Sequence, residues 1–188
     1  MVTPDLAPPS TPGLWAFSPQ QVREGWLRLN PIVLRFVLTD ADGKPVVHAG
    51  RANTLTLTVT NAAQRPITFR PGAPVPEGTP SSGSVCYLHL GTLVAPSDVT
   101  KIRLSAPGWT FQSFTSPQYG TYWAAARTTA LTLGPGEQTR LSAANLIAAP
   151  VGSQAQVIVD YYDVDGIDDG VYADQLSITT ATLASVPS

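Results

Sequence analysis

Along most of this chain, hydrophobic and polar residues alternate with the two-residue period of a pleated strand. In 32–39, Ile32, Leu34, Phe36 and Leu38 fall on one face, with Val33, Arg35, Val37 and Thr39 on the other. The clearest case is 53–61, where Leu55, Leu57 and Val59 oppose Thr54, Thr56, Thr58 and Thr60, predicting one core face and one wet face. The same grammar predicts strands at 46–47, 67–70, 85–94, 100–105, 109–115, 119–127, 130–133, 138–147, 154–164 and 171–183. Breaks fall at 106–108, 134–136 and 166–170, each containing glycine. No helical stripe outlasts a single turn expected at 19–25. About ten strands at this spacing predict an all-β fold, an antiparallel β-sandwich of immunoglobulin-like or jelly-roll type. Strand order stays open, because hairpins and Greek-key crossovers leave the same local pattern.

Two segments stand outside this pattern. Residues 1–18 carry Pro4, Pro8, Pro9 and Pro12 and read as an extended arm ahead of a single sandwich domain, 19–188. The first fourteen residues would reach about 45 Å when extended, enough to cross a neighbouring subunit. Residues 71–83, with Pro71, Pro74, Pro76 and Pro80, form a long loop of the kind that is functional or mobile in compact domains.

Composition narrows the function. Charged residues make up 13% of the chain, 11 basic against 13 acidic, about half the usual share. No basic stripe exists to neutralise phosphates, which argues against nucleic-acid binding. No run of apolar residues is long enough for a membrane span. The first residues lack the basic and apolar regions of a secretory signal, so the expectation is cytoplasmic synthesis, in a chain that becomes part of a particle. The excess of Arg over Lys, with abundant Ala and Pro, points to a GC-rich bacterial or viral source.

The inventory for catalysis is short: one Cys, two His and three Glu. Alternation puts Cys86 and His89 on opposite faces of one strand, which argues against a Cys–His dyad. No partner Cys or paired His completes a zinc site around them, and no nucleophile elbow accompanies His48. The chain is therefore expected not to be an enzyme. The densest polar feature is 160–170, where Asp163, Asp165, Asp168 and Asp169 between glycines could gather oxygens around Ca²⁺, or simply build an Asp/Gly turn. The spacing is not that of an EF-hand, and no other cofactor is implied.

Aromatic residues crowd 109–123, with Trp109 and Phe111 on one strand face and Phe114 on the other, then Tyr119 and Trp123 opposite Tyr122. Rings on both faces require some to sit under a covering loop or in the open. Trp109, Tyr119, Tyr122 and Trp123 are thus candidates for a partner or ligand surface. Ile158 and Tyr162 join them, because they occupy the second face of a strand already apolar on its first. Together these features favour a non-catalytic structural or interaction protein, a subunit of a homo-oligomer or larger assembly. The alternative is a module that binds carbohydrate, or another ligand with Ca²⁺, through loops 71–83 and 163–170. A hydrolase comes third, its carboxylates not pairable from sequence.

Overall fold

The computed structural model describes residues 28–29, 33–149, 154–167 and 172–181. The arm, the turn at 19–25, Asp168 and Asp169 lie outside the described residues. In chain order the strands are β1 (Arg28–Leu29), β2 (Leu34–Thr39), β3 (Val46–His48), β4 (Ala52–Asn61), β5 (Ile67–Phe69) and β6 (Val85–His89). They continue as β7 (Arg103–Ser105), β8 (Trp109–Ser116), β9 (Gly120–Arg127), β10 (Leu131–Leu133) and β11 (Gln138–Ile147). The last are β12 (Gln154–Tyr162), β13 (Val164–Asp165) and β14 (Tyr172–Ala181). Among the described residues, a 3-10 turn, Pro96–Lys101, interrupts them.

A large sheet runs β1-β14-β12-β6-β9-β8, with β3 also on β14, and a four-stranded sheet runs β2-β4-β11-β7. A small sheet, β10-β5-β13, completes the molecule. Pairing is antiparallel except where β1 and β3 meet β14. The alternation explains the layering. Leu34, Phe36 and Leu38 of β2 and Leu55, Leu57 and Val59 of β4 share a core with Ala155, Val157, Val159 and Tyr161 of β12. Phe36 and Tyr161 meet across it at 5.7 Å between ring centroids. Thr54 is exposed and Thr56, Thr58 and Thr60 are half-buried, so the threonine row faces out. The packing is incomplete: an apolar cavity of about 30 Å³ remains between the sheets, against Leu57, Cys86, Leu88, Phe111, Trp123 and Leu141.

The molecule is an antiparallel β-sandwich, as the alternation predicted, and most boundaries fall within two residues of expectation. Three differ for clear reasons. The strand expected at 100–105 begins only at Arg103, because the 3-10 turn Pro96–Lys101 takes up its first residues. The strand expected at 85–94 stops at His89, because Gly91 turns at φ 52° with its Cα side pressed on the Gln156 carbonyl. The strand expected at 154–164 divides at Asp163, whose φ of 55° is left-handed. There the chain leaves the large sheet, and β13 pairs with β5 of the small one.

Candidate metal centre and ligand cleft

The outer face of the large sheet is not a wet surface. Val85, Tyr87, Tyr122 and Ala124 are buried there in a second cluster, with Phe114, Tyr119 and Tyr162 packed against it. What covers them includes the chain's own loop, 71–83. Its base is pinched where Gly72 and Gly83 approach: a Cβ on Gly72 would lie 3.1 Å from the Gly83 Cα, and one on Gly83 would overlap the Pro71 carbonyl. Its tip is tied to the sheet because the Glu77 amide donates to Tyr122 Oη at 2.9 Å and Tyr87 Oη donates to the Pro76 carbonyl at 3.4 Å.

Beneath this loop three ionisable side chains converge. His89 ends β6 and Asp160 lies in β12 on the same outward face, Asp160 directly opposite Tyr87. Glu77 comes down from the loop. Side-chain exposure is 6% for His89, 0% for Asp160 and 1% for Glu77. His89 Nε2 lies 3.5 Å from Glu77 Oε2 and 3.7 Å from Asp160 Oδ2. One ligand atom from each residue lies within 4.8 Å of the others. None of the four carboxylate oxygens has a hydrogen-bond donor. The Tyr122 ring stands 4.9 Å from the imidazole, tilted 34° to it.

Burial in this closed space disfavours every charge. It pushes the Glu77 carboxyl up to about 8 and Asp160 well above the carboxylate range, with the Glu77 charge adding to the effect on Asp160. It pulls the His89 imidazole down to about 2. The three groups are thus held neutral unless a positive charge joins them.

Beside the cluster, Gly78, Thr79, Pro80 and Ser81 of the loop face Val85, Tyr87, Tyr162 and Asp163 across a cleft of about 210 Å³. Tyr162 packs edge-on to Tyr87 at 5.6 Å.

The residues singled out in the sequence distribute unevenly over this geometry. Asp163 and Asp165 flank one guanidinium: Arg70 lies 3.7 Å from the first and 3.3 Å from the second. Arg70 Nε also donates to the Asp163 carbonyl, as does Ser84 Oγ. Trp109 and Tyr122, expected at a surface, are 8% and 1% exposed. Trp109 packs edge-on to Phe69 at 5.5 Å, beneath the Arg127 guanidinium. Trp123 turns inward and donates its indole N–H to the Val99 carbonyl. Tyr119 does not share its face, as alternation implied, but joins Tyr122 in the outer cluster. The turn that ends at Gly120, with φ of 67°, breaks the strand period between them. Ile158 is half-buried on the outward face of β12, and Tyr162 lies at the cleft. Cys86 faces the core and His89 the outer cluster, so the two are separated by the sheet.

The Glu77–His89–Asp160 cluster was not found by sequence reasoning. Asp160 gave a signal, a charge between Ile158 and Tyr162 on an otherwise apolar face. Glu77 gave none, since a Pro/Gly loop has no period that would place it.

No family model matches the chain, and no curated protein matches it. Solved structures resemble it at the level of the sandwich. An immunoglobulin-like protein from Nocardia farcinica is 12% identical, with a TM-score of 0.43 over 76% of this chain and 96% of that one. AvmM, which catalyses macrocyclization in alchivemycin A biosynthesis, is 12% identical, with a TM-score of 0.41 over 86% and 95%. A cohesin module from a Clostridium perfringens family 33 glycoside hydrolase is 8% identical, with a TM-score of 0.40 over 80% and 97%. Such values concern architecture alone. The expectation that the chain is not an enzyme is corrected to this extent: an enzyme stands among the similar structures.

Proposed function

We propose that this chain is a ligand-binding β-sandwich module whose ligand is a small polyhydroxylated molecule, such as a sugar, seated in the cleft between loop 71–83 and the end of β12. The observation that carries this reading is the composition of the cleft walls. Tyr162, packed edge-on to Tyr87, lines the cleft with aromatic surface, and Thr79, Ser81 and Asp163 bring hydroxyl and carboxylate groups to it. Aromatic surface with a few convergent polar groups suits a molecule that has an apolar face and a rim of hydroxyls. The test is titration of the protein with a panel of monosaccharides, followed by NMR. The expected result is perturbation of the Tyr87 and Tyr162 resonances by one class of sugar, with affinity reduced about tenfold or more in Thr79→Val and Asp163→Asn. A panel that leaves both tyrosines unmoved removes the reading.

A second reading, a subunit of a homo-oligomer or larger assembly, has support from the outer face of the four-stranded sheet. There Val37 is 43% exposed beside a row of threonines. Native mass measured by light scattering tests it, and a monomer at all concentrations would count against it.

A further inference from the structure

We propose that Glu77, His89 and Asp160 bind a single first-row divalent cation, Zn²⁺ by preference, between the large sheet and its covering loop. Four observations on independent grounds support the site.

The first is spacing. Donors about 2.1 Å from a tetrahedral centre stand about 3.4 Å apart. The two separations from His89 Nε2, 3.5 and 3.7 Å, are wider than that by only a few tenths of an ångström. The second is need. Glu77 and Asp160 bury four carboxylate oxygens that no donor meets, an arrangement folded proteins avoid unless a counter-charge is supplied. Among the described residues, His89 is the one basic side chain within ion-pair distance of either.

The third is charge balance. Two carboxylates and a neutral imidazole around a dication sum to zero, the one total a closed, apolar-walled space accepts without a further ion. The fourth is donor chemistry. An all-oxygen set would suit Mg²⁺ or Ca²⁺, whereas an imidazole beside two carboxylates selects the later first-row metals. The count of Cys and His in the sequence argued against zinc because it left out carboxylates, one carried by β12 and one brought in from a distant loop. The cation would tie the loop tip, through Glu77, to β6 and β12, and this proposal does not depend on what the neighbouring cleft holds.

The experiment uses the full chain, stripped with chelator and titrated with Zn²⁺ and, as a spectroscopic probe, Co²⁺. One equivalent should bind, raise the melting temperature and give the visible d–d absorption of a low-coordinate Co²⁺ site. Glu77→Gln and Asp160→Asn should each weaken binding by about a hundredfold and abolish that absorption. His48→Gln, which alters the other imidazole of the chain, should bind as wild type does. The order of stabilities is a further readout. Without metal, Asp160→Asn should melt no lower than wild type, because it is isosteric and brings no buried charge; with Zn²⁺ it should melt lower. If Asp160→Asn does not fold, Glu77→Gln carries the test, its side chain coming from a loop rather than a strand. A folded wild-type protein that takes up no cation, or variants at Glu77 and Asp160 that bind as tightly as wild type, would overturn the proposal.

Discussion

Cys86 shows how much a single position in a strand determines. It points to the core side of β6, where burial, with the Asp160 carboxylate adding to it, pushes its thiol up to about 12. The thiolate is the reactive form, so between about pH 7 and 9 almost none is present in the folded protein. We expect alkylation of Cys86 to be slow across that range and to keep climbing with pH past 9 without levelling off, and to accelerate sharply when denaturant unfolds the chain. A native rate that levels off near the ordinary thiol value would show a thiol open to solvent instead. The facing of Cys86 and His89 was legible because alternation within one strand needs no knowledge of the rest of the fold. The company His89 keeps was not legible, since Glu77 and Asp160 reach it through loop geometry and cross-strand register. Both are set by the whole sheet.

Among the elements, loop 71–83 departs most from the rule that long loops are loose. Its amide groups are engaged: the Gly72 N–H donates to the Arg127 carbonyl at the base and the Thr79 N–H to the Pro76 carbonyl at the tip. Pinned at both ends, it hides an aromatic face that would otherwise meet water. Gly83→Ala should therefore open the base, costing about 1–3 kcal/mol by forcing the Pro71 carbonyl aside. Urea unfolding measures the cost, and faster hydrogen exchange at Glu77 and Thr79 would locate it in the loop. A stability and exchange pattern equal to wild type would mean the base gives way without loss. The rings on both faces of β8 and β9 pointed to a cover in the sequence, but not to which segment supplies it. Strand positions could be read because packing imposes a period on them. The cover is specified by two close-approaching glycines and two tyrosine hydroxyls, which have no period.

At the scale of the whole molecule, the sandwich fold depends on two sheets with mismatched outer faces. The four-stranded sheet turns threonines to water and the large sheet roofs its tyrosines with its own chain, so low charge does not oblige every apolar surface to find a partner. No helix among the described residues is long and apolar enough to cross a membrane. Between the sheets, the unfilled space beside Cys86 has a consequence in volume rather than in energy. Unfolding admits water there, and about 30 Å³ per molecule corresponds to a loss of about 20 mL/mol from this source alone. Hydrostatic pressure should therefore shift the protein toward its unfolded form. Cys86→Val, which adds a methyl group to the space, should make the dependence of the unfolding constant on pressure shallower, as followed by tryptophan fluorescence. An unchanged slope would place the lost volume elsewhere in the fold. A protein whose sheets meet imperfectly is, by that fact, the more compressible partner in any environment where depth or confinement raises the pressure.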